Sequence, residues 1–265
     1  CELIWRAFAA TRGHSAIKER VCPYATVYPP GENLAEMEQR FRQAVARGFR
    51  AVKLEEWRGG FGHVNLVTDV AIANLVRRLI GEERDLMIDM QNHWQEVGQA
   101  LETIRAIAPA RPFFVEAPLP PDNLEAYRRL AEAVDTRIAL GDWGFAGRFE
   151  FEELMTLGGV DVVQPSSVRS GGISEILTIA EAAYRRGLLC IPHAWCHMVG
   201  VAAEVHLAAV VPNMPYFEYP LAFPDSPLIS ELLDPPLAPD AEGWIQVPRR
   251  PGLGFRLNER VVERF

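Results

Sequence analysis

Little in this chain suits a secreted, membrane-spanning or nucleic-acid-binding protein. It has four cysteines in 265 residues: Cys1, Cys22, Cys190 and Cys196. They form neither the paired spacing of a zinc ribbon nor a disulfide framework, so a reducing, cytoplasmic setting is expected. Long apolar runs are missing too. A stretch such as Leu207 to Val211 falls far short of the roughly 20 residues that cross a bilayer. The first residues lack the charged, apolar and small-residue regions of a signal peptide. Positive charge is scarce: 27 Lys and Arg against 35 Asp and Glu give a net charge of −8. That balance argues against nucleic acid and against an anionic membrane as partners.

What is present is an alternation. Short apolar runs recur at Val21 to Val27, Ala51 to Leu54, Leu86 to Ile88, Phe113 to Val115, Ile138 to Leu140, Val160 to Val163, Leu188 to Ile191 and Tyr216 to Phe217. Between them lie amphipathic patterns with three- and four-residue steps, such as Leu34, Met37, Phe41, Ala44 and Val45, or Ile173, Ile176, Leu177, Ala180, Ala183 and Tyr184. Each pattern puts one apolar stripe against a sheet. Asn33 with Glu36 and Asp122 with Glu125 are spaced as helix starts, and Gly48, Gly81 and Gly187 stand where helices should stop. Buried strands joined by helices to parallel neighbours predict an α/β protein with a (β/α)₈ barrel; a doubly wound open sheet is the runner-up. With 49% hydrophobic residues the chain can bury such a core. We expect the barrel over 21–220 and a proline-rich segment over 221–265 that packs back across it. Residues 1–20 are expected to be the remnant of a helix leading in from elsewhere: Cys1 to Gly13 reads as a helix end with no cap or initiating Met.

A barrel of this kind builds its site at the carboxyl ends of its strands. There the chain places Lys53 and Glu55, Asp89, Glu116, Asp142, Gln164 and Ser166, His193, and Glu218. Three consecutive strands supply Asp89, Glu116 and Asp142, and three facing carboxylates cannot all stay ionised without a compensating cation. Oxygen-only ligation predicts Mg²⁺, with Mn²⁺ as the alternative. The blander reading makes each acid a solvated loop residue or helix cap; the coincidence of three in register is what favours a metal. His193, directly after a strand, is a candidate general base. A zinc site from His193, Cys196 and His197 has no second cluster and falls at a helix start. Lys53 also has a plain reading as an ordinary lysine at a strand end, while His93 and His206 read as packing or surface residues.

These same residues resemble the enolase superfamily, and within it the mandelate racemase/muconate lactonizing enzyme branch that includes acid-sugar dehydratases. The likeness runs through Val52-Lys53-Leu54-Glu55, Met87-Ile88-Asp89 with Trp94, Val115-Glu116-Ala117-Pro118, Gly141-Asp142, Val163-Gln164-Pro165, Gly171-Gly172-Ile173, Pro192-His193, Phe217-Glu218 and Pro251-Gly252-Leu253-Gly254. It implies a modified TIM barrel with an N-terminal α+β capping domain, here largely absent, and a homo-oligomer. It also implies a chemistry: a metal binds the carboxylate of a small acid, a base takes the α-proton, and the metal stabilises the resulting enediolate. In the dehydratases a strand-seven histidine, matched by His193, protonates the departing hydroxyl or acts as the base.

The chain departs from the family pattern. Lys-x-Lys reads Lys53-Leu54-Glu55, which disfavours racemisation by two opposed bases. The aspartate that orients the histidine reads Ser166, which should leave His193 less basic and less fixed in its tautomer. The third ligand is the shorter Asp142, and Gln91 stands where asparagine is common. The expected function is dehydration of a sugar acid, with His193, Lys53, Glu55 and Glu218 as catalytic residues. The alternatives are a cycloisomerase or epimerase, and a noncatalytic barrel that keeps the metal carboxylates.

Overall fold

The computed structural model describes residues 17–27, 34–55, 66–221 and 226–265. The expected helix end from Cys1 to Gly13 and the expected cap Asn33 lie outside them.

Strands and helices alternate as the hydrophobic pattern predicts. A short strand β1 (Arg20–Val21) precedes β2 (Pro23–Val27), α1 (Leu34–Ala46), β3 (Ala51–Glu55), α2 (Leu66–Ile80), β4 (Asp85–Asp89), α3 (Val97–Ile107) and β5 (Pro112–Glu116). Then follow α4 (Leu124–Ala131), β6 (Ile138–Leu140), α5 (Arg148–Leu157), β7 (Val162–Val163), α6 (Ile173–Arg185), β8 (Leu189–Cys190), α7 (Met198–Val210) and β9 (Phe217–Leu221). The expected first strand divides at Cys22, because Pro23 has no N–H to continue the earlier pairing. The helix expected to be capped by Asp122 starts one residue later: Asn123 accepts from the Ala126 N–H at 3.1 Å. Gly48, Gly81 and Gly187 follow α1, α2 and α6 with φ of 87°, 76° and 74°, as helix-stopping glycines do.

The eight strands β2 to β9 form one parallel sheet in the order β8-β7-β6-β5-β4-β3-β2-β9. It curls on itself as a (β/α)₈-type barrel. Tyr24, Ala51, Met87, Phe114, Ala139, Val162 and Ile191 meet in one buried cluster, with Leu189 and Tyr216 against it. Side chains from every strand can share a small interior only if the sheet wraps round it. The alternate residues, among them Val52, Leu54, Ile88, Val115, Leu140, Val163 and Phe217, face outward into the larger cluster beneath the helices. Burying each such side chain contributes roughly 1.5–3 kcal/mol before entropy is counted.

The C-terminal segment packs back on this unit. β10 (Leu233–Asp234) pairs with β12 (Arg256–Leu257), and β11 (Ile245–Gln246) pairs antiparallel with β1. Lys18 donates to the carbonyls of Ala208, Val211 and Met214 at 2.9–3.0 Å, tying the start of the described chain to the end of α7. That helix is buried nearly all round, His206 included; the His206 ring meets the Leu253 carbonyl at 3.0 Å in the late Pro-Gly turn. No helix among the described residues is long and apolar enough to cross a membrane.

Candidate active site

Two residues further along each strand, the apolar interior turns polar, since side chains of one face recur at every second position. Ala51 is followed by Lys53 and Glu55, Met87 by Asp89, Phe114 by Glu116, Tyr24 by Thr26, Val162 by Gln164, and Ile191 by His193. The layer opens into a cavity of about 700 Å³ whose lining includes Lys53, Glu55, Asp89, Asp142, His193 and Glu218. Glu116 is fully buried and touches the cavity through Lys53, 2.7 Å away.

Backbone turns at the strand ends aim these groups. Asp142 follows Gly141, whose φ is 127°; a Cβ there would stand 2.6 Å from Phe151 and 3.0 Å from the Gln164 nitrogen, so only glycine permits the turn. Beyond β4 and β5 the chain enters the left-handed region at Gln91, Asn92 and Ala117, with φ of 47°, 57° and 43°. Such positions cost on the order of 1 kcal/mol each and cluster at functional sites. Neighbouring backbone holds them: the Met90 N–H donates to Glu116 O at 2.9 Å and the Asn92 N–H to Ala117 O at 2.6 Å.

Lys53 is the hub. Its ammonium lies 2.7 Å from Glu116 Oε2, 3.0 Å from Glu218 Oε1 and 3.7 Å from Asp89 Oδ2. Burial opposes its charge, yet Glu116 and Glu218 outweigh burial and hold it protonated. Glu218 also accepts from Thr26 Oγ1 at 2.5 Å and from the Ala194 N–H at 2.6 Å. Burial alone would raise its carboxyl, but Lys53, His193 and these donors pull it down to about 2. The other acids go the opposite way. Burial, reinforced by mutual repulsion, pushes Asp89 and Asp142 up to about 7 and Glu116 up to about 8. Glu55, which accepts from the Gln91 amide, is raised by burial to about 7.

Among the described residues, no three His, Cys, Asp or Glu side chains are set closely enough to enclose a metal ion as they stand. The donor set nonetheless suits a hard divalent cation. Asp89, Glu116 and Asp142 are carboxylates that raise one another's proton affinity, and Glu116 Oε1 and Asp142 Oδ1 are buried with no hydrogen-bond partner. Unpaired buried oxygens of this kind need a cation or a proton.

His193 stands at the top of β8, its N–H bonded to Pro165 O at 3.0 Å. Its Nδ1 meets Arg169 Nη2 at 2.8 Å and its Nε2 lies 4.0 Å from Glu218 Oε2. Burial, aided by the charges of Lys53 and Arg169 against that of Glu218, lowers the imidazole to about 4. Arg169 in turn lies over the Trp143 ring at 4.3 Å. Ser166, which stands where the family pattern has an aspartate, has a buried hydroxyl without a partner.

All four expected catalytic residues thus line one cavity, as do the expected ligands Asp89 and Asp142, while the third, Glu116, is buried against Lys53. Arg169, Thr26, Trp143 and Trp195 were missed. Thr26 was legible, as the inward residue two after Tyr24. Arg169 lies in a loop, where no periodicity marks direction.

The description "Enolase C-terminal domain-like" matches residues 36–261. Among curated proteins, an arabinonate dehydratase of Saccharolobus solfataricus is 29% identical over 94% of this chain and 64% of its own length. A D-galactarolactone cycloisomerase of Agrobacterium fabrum is 30% identical over 94% of this chain and 66% of its own. A D-gluconate dehydratase of Thermoproteus tenax is 27% identical over 94% and 50%. The chain therefore spans half to two thirds of the length of these relatives. Among solved structures, a mandelate racemase/muconate lactonizing enzyme-like protein from Rubrobacter xylanophilus superimposes with a TM-score of 0.86 at 27% identity, covering 99% of this chain and 71% of that one. An L-talarate/galactarate dehydratase mutant, liganded with Mg and L-glucarate, gives 0.79 at 26% identity, covering 98% and 62%. The inward-facing charged layer, the barrel beneath it and the match over residues 36–261 agree, and the chain belongs to the enolase C-terminal domain-like family.

Proposed function

We propose that this chain is the barrel of a Mg²⁺-dependent lyase that removes the proton α to the carboxylate of a sugar acid and expels the neighbouring hydroxyl as water. The observation that carries the reading is the buried charge layer. Four carboxylates and one lysine line a single cavity, a fifth carboxylate, Glu116, is buried against that lysine, and Glu116 and Asp142 each have one oxygen without a partner. Burying so much charge destabilises a fold unless it is used.

Asp89, Glu116 and Asp142 would hold the metal. When bound, it acts as a Lewis acid that draws charge from the substrate carboxylate and so acidifies the α-proton. The rest is done by side chains. Lys53, kept protonated by Glu116 and Glu218, offers a cation to a substrate oxygen at the cavity floor. Glu55 and His193 line the same cavity from β3 and from the end of β8. Glu218 fixes the Lys53 ammonium and is itself held by Thr26 and Ala194. Residues 21–220 supply this machinery and 221–265 brace it, in a cytoplasmic homo-oligomer. The 30% identity to a cycloisomerase supports a second reading in which the same proton is taken but no hydroxyl departs.

The test is solvent-deuterium exchange at the α-carbon across a panel of sugar acids, with Mg²⁺ and with EDTA. Exchange or keto-acid formation that vanishes with EDTA and in Asp89→Asn supports the lyase. Exchange without loss of water favours the isomerase. Silence across the panel despite Mg²⁺ binding supports a noncatalytic barrel.

A further inference from the structure

We propose that Arg169 is a positioning residue that locks His193 in the tautomer with its proton on Nε2, so that the histidine gives the cavity a hydrogen-bond donor rather than a base. Arg169 Nη2 lies 2.8 Å from His193 Nδ1. A guanidinium has only donors and does not give up its proton, so Nδ1 must accept with its lone pair. The one proton of the neutral ring then sits on Nε2. That nitrogen is not tied up by Glu218, which at 4.0 Å is beyond hydrogen-bond distance.

Three further observations hold the pair together. The guanidinium is stacked over Trp143 at 4.3 Å, which restrains its swing. Among the described residues Arg169 forms no ion pair with a carboxylate, and its Nη2 is directed to the imidazole. The backbone N–H of His193 is anchored to Pro165 O at 3.0 Å, which fixes where the ring leaves β8. Ser166, where the family pattern has an aspartate, offers no carboxylate to the histidine, and its buried hydroxyl has no partner. A carboxylate beside Nδ1 would have put the lone pair on Nε2 and made a base; a guanidinium reverses the assignment.

The charges facing the ring are those of Glu218, Lys53 and Arg169. With a cation on Nδ1, electron density drains from the ring and the Nε2–H becomes a better donor. A neutral imidazole in this state suits stabilising negative charge that grows on a substrate oxygen, such as that of a departing hydroxyl. It does not suit taking a carbon-bound proton, which passes to another side chain of the cavity. This catalytic consequence rests on the lyase reading above; the tautomer does not.

The experiment has two arms. In the first, long-range ¹H–¹⁵N correlation spectra of the full chain labelled with ¹⁵N-histidine report the protonated nitrogen of each ring at neutral pH. His193 is identified by the signal missing from His193→Ala. The expected result is a protonated Nε2 and a bare Nδ1 in the wild type, a mixture of tautomers in Arg169→Met, and return to Nε2–H in Arg169→Lys, whose ammonium is also a pure donor. An unchanged signal from buried His206 shows that each variant is folded. A protonated Nδ1 in the wild type, or an Arg169→Met spectrum identical to it, overturns the proposal. In the second arm, His193→Ala should keep EDTA-sensitive α-deuterium exchange while keto-acid formation falls on the order of 10²-fold. Loss of exchange as well would make His193 the base and overturn the donor role. A wild type inactive on every sugar acid would count against the lyase reading and leave the tautomer result standing.

Discussion

The two inner layers of the barrel lie only two residues apart along the same strands, about 6.6 Å, and they are opposites. The lower layer, with Tyr24, Ala51, Met87, Phe114, Ala139, Val162 and Ile191, is a buried apolar plug. The upper layer, with Lys53, Asp89, Glu116 and Glu218 beside Thr26 and Gln164, is as buried but polar and charged. The plug gains stability from removing apolar surface from water. The charged layer pays desolvation that its ion pairs only partly return. One barrel thus separates an apolar layer that holds the fold from a charged layer that is proposed to perform chemistry, and four substitutions test that separation.

The largest effect is expected for Glu116→Gln. On the proposed lyase reading, turnover of a sugar acid should fall by on the order of 10³ or more because a proposed metal ligand is gone, while the thermal midpoint of the metal-free protein stays level or rises. A lower midpoint with intact turnover would erase the distinction between the layers. Phe114→Ala, two residues earlier on the same strand, should do the reverse. It should lose roughly 3–5 kcal/mol in urea unfolding, with Mg²⁺ affinity retained in whatever fraction stays folded. Lys53→Met removes the cation from among Glu116, Glu218 and Asp89. It should lose about 3 kcal/mol without metal, and saturating Mg²⁺ should restore part of the loss, because a divalent ion then supplies the missing positive charge.

The smallest effect concerns a charge outside the cavity. Glu204 on α7 is fully buried, accepts from the Ser167 N–H at 3.2 Å and has Oε2 unpaired. Burial raises its carboxyl from 4.5 to about 8. The folded state therefore holds a proton that the unfolded state releases, and this contribution to stability is lost as pH rises from about 4.5 to 8. Glu204→Gln should be more stable than the wild type by a margin that grows between pH 5 and pH 8, by roughly 1–3 kcal/mol. A margin independent of pH would reject the buried proton.

The upper layer was largely legible because strand periodicity carries direction. Once Ala51 to Leu54 reads as a strand with its end in the barrel mouth, Lys53 and Glu55 must face the site, and the same holds for Asp89, Glu116 and His193. The helices followed from their three- and four-residue steps, although α4 begins one residue later than its spacing suggested, since Asn123 rather than Asp122 supplies the cap. Burial of α7 was less legible. Its sequence is apolar nearly all round, and what covers it is supplied by Lys18 and by the Leu253 turn, far away in the chain.

The partner of His193 is the clearest limit of the sequence. The serine at 166 led to the expectation of a weakly basic histidine, whereas what lowers the imidazole is chiefly its burial, with the charges of Lys53 and Arg169. The expectation of a loosely fixed tautomer, however, took no account of Arg169, which reaches Nδ1 from a loop with no repeating geometry. By itself the sequence determined the alternation of strand and helix, the inward face of each strand, and hence which charges share the barrel mouth, because periods of 2 and 3.6 residues are local properties of the backbone. Only the tertiary structure decided which charges touch. Lys53 pairs with Glu116 and Glu218, Arg169 meets the His193 imidazole, and oxygens of Glu116 and Asp142 remain unpaired, because burial and ångström-scale distances between separate strands govern electrostatics and neither is written in any one segment.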